Sequence, residues 1–123
     1  MTYLLDSNLL IYSADAANAF LRPLVSNADN YVSAITQVET LGYHRLSATD
    51  KLYFQSLFAL LGILPVTPAV IGRAVALRQQ RRLSLGDALI AATALEFGLD
   101  LATRNVADFA PIGGLQVFDP FAA

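Results

Sequence analysis

The chain has 123 residues, a length that suits one domain with a sizeable core, so we expect a single domain over residues 1–123. It has no cysteine, which excludes disulfides, thiolate zinc sites and a cysteine nucleophile, and which fits a reducing compartment. Net charge is −2, so overall charge does not by itself point to a nucleic-acid binder. With 55% hydrophobic and only 15% charged residues, the apolar excess suggests an oligomer interface or a protein partner.

Neither a targeting segment nor a membrane span is indicated by the sequence. The apolar start MTYLLDSNLLIY contains Asp6 and has no basic flank, so we expect no signal peptide. The apolar stretch 57–72 is interrupted by Pro65, Thr67 and Pro68 and is too short to span a bilayer. We therefore expect a cytoplasmic protein without membrane contact.

The first half of the chain predicts two strands separated by helical segments. Short apolar runs bounded by turn residues are typical of strands, whereas a 3.6-residue apolar period is typical of helices. In chain order we predict a strand at 2–6, helix in one or two pieces at 9–26, a strand at 30–35, and helices at 36–47 and 49–62.

The second half continues the alternation of strands and helices. We predict an edge strand at 63–66, a helix at 68–82, an apolar helix at 84–97 that Gly98 ends, and strands at 99–103 and 115–118. Such alternation favours an α/β fold, a three-layer sandwich in which helices flank a five-stranded, mostly parallel sheet. In such folds ligands bind beyond the carboxyl ends of the strands.

Acidic residues recur where a parallel sheet brings its loops together. Asp6 ends the first predicted strand, Glu39 lies at the start of the helix after the second, and Asp87 lies near the head of the apolar helix. Asn105 and Asp108 follow the fourth strand. These positions are far apart in sequence, but the predicted topology places them at one edge of the sheet.

Each acid also has a structural explanation. TQVE at 36–39 and SLGD at 84–87 match the capping box, and Asp6 can form an Asx turn. For one acid alone the structural explanation is favoured. As a set the acids favour a metal site, because the helix after Asp87 is apolar all round and a buried carboxylate needs a partner. We predict that Asp87 faces the metal and that Ser84 does most of the capping.

Hard oxygen ligands without cysteine suit Mg²⁺, or alternatively Mn²⁺, rather than zinc. Mg²⁺ keeps several waters and shares phosphate oxygens with its substrate, which is the arrangement for hydrolysis of a phosphodiester. The acidic set therefore predicts a metal-dependent phosphodiesterase. No lysine or arginine lies close in sequence to all three acids, so a divalent cation is the natural counter-charge.

Four segments, LLDSNLLIY, SAITQVETLGY, LSLGDALIAATAL and LATRNVADF, resemble in order the signature segments of PIN-domain ribonucleases, above all the VapC-type toxins of toxin–antitoxin pairs. The resemblance implies a Mg²⁺-dependent endoribonuclease toxin that hydrolyses tRNA, rRNA or mRNA and so arrests translation. It also implies a homodimer, and a cognate antitoxin that inserts a segment near the pocket.

On this pattern Asp6, Glu39 and Asp87 match the family's acids, which implies that they are catalytic residues and metal ligands. Asn105 stands where the family often has aspartate, and we expect it to contact the metal as well. Asp108 is then a supporting or structural residue. An amide contributes an oxygen but no charge, so any second metal site should be weak.

Other side chains are expected to support this site. Ser7 and Asn8 should shape the turn and hydrogen-bond Asp6, and Thr103 should support the pocket from the end of the fourth strand. Arg104 is the candidate for contact with an RNA phosphate. Tyrosines at helical spacing, including Tyr12, could stack on bases but more often belong to cores or interfaces.

Two alternatives stay open. A non-catalytic PIN-like module that binds RNA or protein is compatible with the uncharged Asn105. A phosphatase of the haloacid-dehalogenase type is disfavoured because Asn8 occupies the place of a second aspartate. The apolar face of the helix at 49–62 is the candidate surface for an antitoxin or a second subunit, and it comprises Phe54, Leu57, Phe58 and Leu61.

Overall fold

A computed structural model describes residues 2–122, in which five strands alternate with helices. The strands are β1 (Tyr3–Leu5), β2 (Tyr31–Ser33), β3 (Gly62–Leu64), β4 (Asp100–Ala102) and β5 (Val117–Phe118). The helices are α1 (Ser7–Ala14), a 3-10 helix (Ala16–Leu21), α2 (Arg22–Val25), α3 (Ala34–Leu41), α4 (Ala48–Leu60), α5 (Pro68–Gln80), α6 (Leu85–Phe97) and α7 (Val106–Phe109). No helix among these residues is both long enough and apolar enough to cross a membrane.

The sheet is parallel throughout its described strands, in the order β3-β2-β1-β4-β5. Leu4 of the central strand pairs with Tyr31 on one side and with Leu101 on the other. The predicted five-stranded sheet is therefore confirmed, and β3 takes the edge position that Pro65 indicated. Because β1 is central, Asp6 follows it at the middle of the carboxyl edge, where neighbouring loops can reach it.

Helices cover both faces of the sheet, which confirms the three-layer sandwich. Successive strand side chains point to opposite faces. Leu4 accordingly packs with residues of α5, α6 and α7, whereas Leu5 packs with residues of α1, α2 and α4. Leu101 and Ala102 divide between the two cores in the same way. The two apolar layers hold the carboxyl edge, and the residues that follow it, on a rigid base.

The start of α3 differs from the prediction. Its N-cap is Ser33, whose hydroxyl accepts a hydrogen bond from the Ile35 amide at 3.3 Å, and the helix ends at Leu41. The predicted strand at 30–35 and helix at 36–47 are therefore wrong at these boundaries, and Thr36 is not a cap. The Ser33 hydroxyl, on the last residue of β2, ends the strand and begins the helix, although the following residues are as apolar as a strand.

The ends of α6 agree with the prediction. The Ser84 hydroxyl caps the helix by accepting a hydrogen bond from the Asp87 amide at 3.1 Å. Gly98 ends it with φ of 66°, a left-handed conformation that glycine adopts without steric cost. Residues 88 and 90–94 are buried, as expected for a helix that is apolar all round. The helix therefore anchors Asp87 from within the core.

The apolar face of α4 is core rather than a partner surface. Phe54 and Leu57 are each 3% exposed and Leu61, just beyond the helix, is 5% exposed. They pack with Leu5 and with residues of α1 and α2. The prediction that this face binds an antitoxin or a second subunit is therefore wrong for Leu57 and Leu61, which the sheet and α1 cover, whereas Phe54 also lines a cavity together with Glu39.

Candidate active site

Asp6 is a buried carboxylate at the carboxyl edge of the sheet. Its backbone N–H donates to the Ala102 carbonyl at 2.9 Å, which extends the pairing of β1 with β4. It takes the N-cap position of α1, yet its side chain caps no amide there, and it is only 2% exposed. The Thr103 hydroxyl donates to Asp6 Oδ2 at 2.7 Å. The carboxylate is thus oriented by a hydroxyl from the residue that follows β4.

Thr103 links Asp6 to the loop after β4. Its buried hydroxyl also accepts a hydrogen bond from the Asn105 amide at 3.0 Å. The Asn105 side chain in turn donates through Nδ2 to Asp108 Oδ2 at 2.8 Å. The structure thereby places Thr103 and Asp108 beside the predicted ligands. Within the described residues the side-chain oxygen of Asn105 accepts no hydrogen bond, so it is available to a ligand.

Glu39 is held from α1 by a chain of hydroxyls. Ser7 is 3% exposed and donates to Glu39 Oε1 at 2.8 Å. The Ser7 and Thr36 hydroxyl oxygens are 2.7 Å apart. Because Ser7 donates its single hydroxyl proton to the Glu39 carboxylate, Thr36 is the donor in the hydrogen bond between the Ser7 and Thr36 hydroxyls. Ser7 therefore orients Glu39, whereas the sequence analysis expected it to hydrogen-bond Asp6. Thr36 also belongs to the site, and sequence reasoning missed it.

Glu39 also meets the first turn of α6. A Cβ added to Gly86 would lie 3.0 Å from Glu39 Cδ and closer still to Oε2, well inside van der Waals contact. Only glycine leaves room for the carboxylate at this point. Gly86 is a second residue that sequence reasoning missed, although a glycine in the first turn of a helix that otherwise favours bulkier residues was a signal for it.

Asp87 lies one residue further along α6 and is half-buried. Burial raises its pKa first, the charges of Asp108 and Glu39 raise it further, and the Ser84 hydroxyl lowers it. Asp87 thus senses both acids from neighbouring elements. The backbone amide of Asp87, rather than its carboxylate, is the group that Ser84 caps through its hydroxyl. This confirms the expected capping role of Ser84, while the expectation that Asp87 faces a metal stays a prediction.

Burial raises the pKa of Asp6 from 3.8 to about 6. The Thr103 hydroxyl lowers this pKa, the Asp87 charge raises it, the Asn8 backbone amide lowers it, and the Glu39 charge raises it. The charges of Glu39 and Asp87 therefore act on Asp6, although 33 residues or more separate them from it in sequence. Asn8 contributes through its backbone, and its side chain is exposed.

Asp6 opens into a cavity of about 280 Å³ that is also lined by Asn8, Tyr12, Arg104 and Asn105. Glu39 lines a second, more apolar cavity of about 240 Å³ together with residues of α1, α3 and α4. Asp87 lines neither. The structure thus connects the predicted residues through hydrogen bonds and charge, while Asp6 and Glu39 line two different cavities.

The donor set fits a divalent cation chemically. The oxygens of Asp6, Glu39, Asp87 and Asn105 are of the hard type that Mg²⁺ and Mn²⁺ prefer. In residues 2–122 the one ion pair, between Arg73 and Glu96, leaves these carboxylates without a cationic partner. Within the same residues no three acidic or histidine side chains are arranged to ligate one ion, so the acids adjoin each other without forming a closed cage.

A family model described as PIN domain matches residues 3–114. The chain belongs to the PIN-domain family. The match confirms the family predicted from the four segments, and PIN domains are in general nucleases. A search of curated proteins found no significant match.

Several solved structures share this fold, among them a toxin–antitoxin complex. A toxin–antitoxin complex from Klebsiella pneumoniae is 32% identical, covering 96% of this chain and 97% of that one, with a TM-score of 0.77. FitAcB from Neisseria gonorrhoeae is 29% identical over 100% of both chains, with a TM-score of 0.77. VapBC2 from Rickettsia felis, bound to a DNA fragment from its promoter, shares the fold at 19% identity, covering 96% and 98%, with a TM-score of 0.77.

Proposed function

We propose that this PIN domain is a metal-dependent endoribonuclease toxin that hydrolyses RNA phosphodiesters and is neutralised by a cognate antitoxin. The observation that carries the proposal is the placement of Asp6, Glu39 and Asp87. Burial raises the pKa of Asp6 and of Asp87, and the Glu39 charge raises both further. Asp6 lines a cavity that also contains Arg104. A purely structural role does not explain why a fold would gather like charges without a cation.

The residues that would hold Mg²⁺ or Mn²⁺ are Asp6, Glu39, Asp87 and Asn105. A bound divalent ion supplies an activated water and offsets charge on the scissile phosphate. The chain's own contribution is orientation. Thr103 fixes the Asp6 carboxylate, and the Ser7 hydroxyl fixes Glu39, as described above. We assign Arg104, which lines the cavity together with Asp6, to a phosphate of the RNA.

The proposal is tested by incubating the purified, antitoxin-free protein with tRNA, rRNA and mRNA in Mg²⁺, in Mn²⁺ and in EDTA. The expected result is cleavage that needs the metal and is lost in Asp6→Asn, with Asp29→Asn as control because that residue is exposed. Mapping of the new RNA ends then identifies the target. Metal binding without cleavage of any RNA would favour a non-catalytic binding module, and cleavage that survives Asp6→Asn would contradict the assigned site.

The antitoxin is proposed from the Klebsiella pneumoniae neighbour, whose structure is a toxin–antitoxin complex. The cavity lined by Glu39, Ile11, Tyr43, Asp50 and Phe54 combines apolar walls with two carboxylates, so we propose that it receives an apolar antitoxin segment with a basic side chain. Co-expression with the antitoxin should restore growth. Substitution of the exposed Tyr43 by alanine should weaken that rescue without reducing RNA cleavage.

We further propose a cytoplasmic single domain over residues 1–123 that forms a homodimer. On α5 the side chains of Ile71 and Val75, four residues apart on one helix face, are 49% and 51% exposed. These two exposed apolar side chains are better covered by a second copy of the chain than left in contact with water. Light scattering should give twice the 13.2 kDa chain mass, and Val75→Glu should give a monomer.

A further inference from the structure

The exposed loop residue Arg104 contacts aromatic rings and not a carboxylate. It adjoins Asp6 in the lining of one cavity, yet among residues 2–122 its guanidinium makes neither an ion pair nor a hydrogen bond. It lies instead over the rings of Phe121, at 4.2 Å from the centroid, and Tyr12, at 5.4 Å. A guanidinium held against ring faces keeps its N–H donors free for another acceptor.

The rings that hold Arg104 continue away from the acids. Phe121 and Tyr12 meet edge to face at 5.7 Å, and Phe121 meets Phe20 edge to face at 5.1 Å. Phe20 is 55% exposed, although it is a large apolar side chain in the 3-10 helix. We call Tyr12, Arg104, Phe121 and Phe20 the aromatic strip. It leads from the Asp6 cavity to an exposed ring.

The position of Phe121 is set by the chain itself. Its backbone N–H donates to Asp119 Oδ1 at 2.9 Å, forming a turn directly after β5. Thr103, the residue before Arg104, donates its N–H to the Phe118 carbonyl at 2.9 Å. The turn and the arginine are therefore fixed to one another through the β4–β5 edge of the sheet.

We propose that the aromatic strip is the subsite for a single-stranded RNA nucleotide next to the scissile phosphate. Arg104 binds that nucleotide's phosphate, Phe20 stacks on its base, and Phe121 is a positioning residue that holds the guanidinium away from Asp6. This inference rests on the proposed function and deepens it by naming single-stranded RNA as the substrate class. Stacking on Phe20 requires an unpaired base, because bases in a duplex do not expose a face to a side chain. A free cation beside an exposed ring suits a nucleotide better than an apolar peptide.

The test separates binding from cleavage. In an Asp6→Asn background without divalent metal, binding of a short fluorescent single-stranded RNA is measured by anisotropy. Phe20→Ala should weaken binding about tenfold, since base stacking on an aromatic ring carries roughly that factor. Arg104→Gln should weaken it by a similar factor and reduce the salt dependence by about one phosphate contact. Phe97→Ala, which removes another exposed ring at the far end of α6, should leave binding unchanged.

Positioning by Phe121 is tested by a double-mutant cycle. Phe121→Leu keeps apolar bulk but removes the ring, so Arg104→Gln should cost less in that background than in the parent. Additive effects of the two changes would overturn the positioning role. Should Phe121→Leu fail to fold, Phe20→Ala and Arg104→Gln still decide the subsite, because both side chains are exposed.

In the catalytically competent protein the same exposed variants should raise KM for a looped RNA more than they lower kcat. Unchanged RNA binding in both Phe20→Ala and Arg104→Gln overturns the subsite even if the protein cleaves RNA. Loss of antitoxin binding with unchanged RNA binding would assign the strip to the antitoxin and also overturn it. Altered RNA binding without any cleavage by the parent would leave the subsite standing and contradict the proposed function alone.

Discussion

Replacement of Asp6 by asparagine should stabilise the metal-free protein while abolishing its activity. The folded-state pKa of Asp6 is raised from 3.8 to about 6, mainly by burial. The folded protein therefore binds more protons than the unfolded chain across this window, and the free energy of unfolding falls as pH rises through it. Asparagine keeps a good N-cap residue and an oxygen acceptor for Thr103, but it carries no charge.

The size of the effect follows from the shift. The interval from 3.8 to about 6 corresponds to about 3 kcal/mol when the carboxylate is fully ionised in both states. Asp6→Asn should accordingly gain about 3 kcal/mol at pH 8 and about 1 kcal/mol at pH 4.5 in EDTA. The gain at pH 8 is equivalent to a rise in Tm of about 10 °C for a domain of this size.

Urea unfolding at the two pH values, followed by circular dichroism, measures this difference, with Asp29→Asn as the exposed control. Millimolar Mg²⁺ should stabilise the parent and not Asp6→Asn, because only the parent retains the buried ligand. A variant that is less stable than the parent at pH 8 without metal would refute the reasoning. So would a gain that does not change between the two pH values.

Further predictions concern residues around the acids. Gly86→Ala should displace the Glu39 carboxylate and reduce kcat/KM for RNA cleavage about a hundredfold without lowering Tm. Gly72→Ala, exposed inside α5 with nothing within 4 Å of the added Cβ, should leave kcat/KM unchanged and raise Tm slightly, because alanine favours the helix. Thr103→Val should cost about 2 kcal/mol in urea unfolding at pH 8, and less below pH 6, because it removes a donor to a buried charge; an equal cost at both pH values would contradict this. Ser84→Ala should lower the free energy of unfolding by about 1 kcal/mol, and Thr67→Ala should do the same at the cap of α5. RNA cleavage should persist in both variants. Loss of cleavage in Ser84→Ala alone would mean that the Ser84 hydroxyl acts in the site directly.

Local signals in the sequence predicted the fold well. Alternating strands and helices, the cap at Ser84 and the stop at Gly98 depend on neighbours within a few residues, so they could be read directly. The start of α3 could not, since Ser33 and Thr36 are equally good caps by type and only packing decides between them. Thr36 meets Ser7 across 29 positions, a contact that exists only in the folded chain.

The candidate site was predictable in composition rather than in detail. The strand ends indicated that Asp6, Glu39 and Asp87 approach each other, because a parallel sheet places its carboxyl ends along one edge. The partners of each acid depend on tertiary packing and could not be read from sequence. The burial of the apolar residues of α4 could not be predicted either, because Phe54 and Leu57 are residue types found both in interfaces and in cores.

The central claim is that acids from separate elements bind one divalent metal, and a crystal soaked in MnCl₂ tests it most directly. An anomalous difference map should show a peak within coordination distance of carboxylate oxygens of Asp6 and Asp87, with Glu39 and Asn105 beside it. The peak should be absent from Asp6→Asn crystals soaked in the same way. A map without a peak at these residues, or with a peak that survives in Asp6→Asn, would contradict the account.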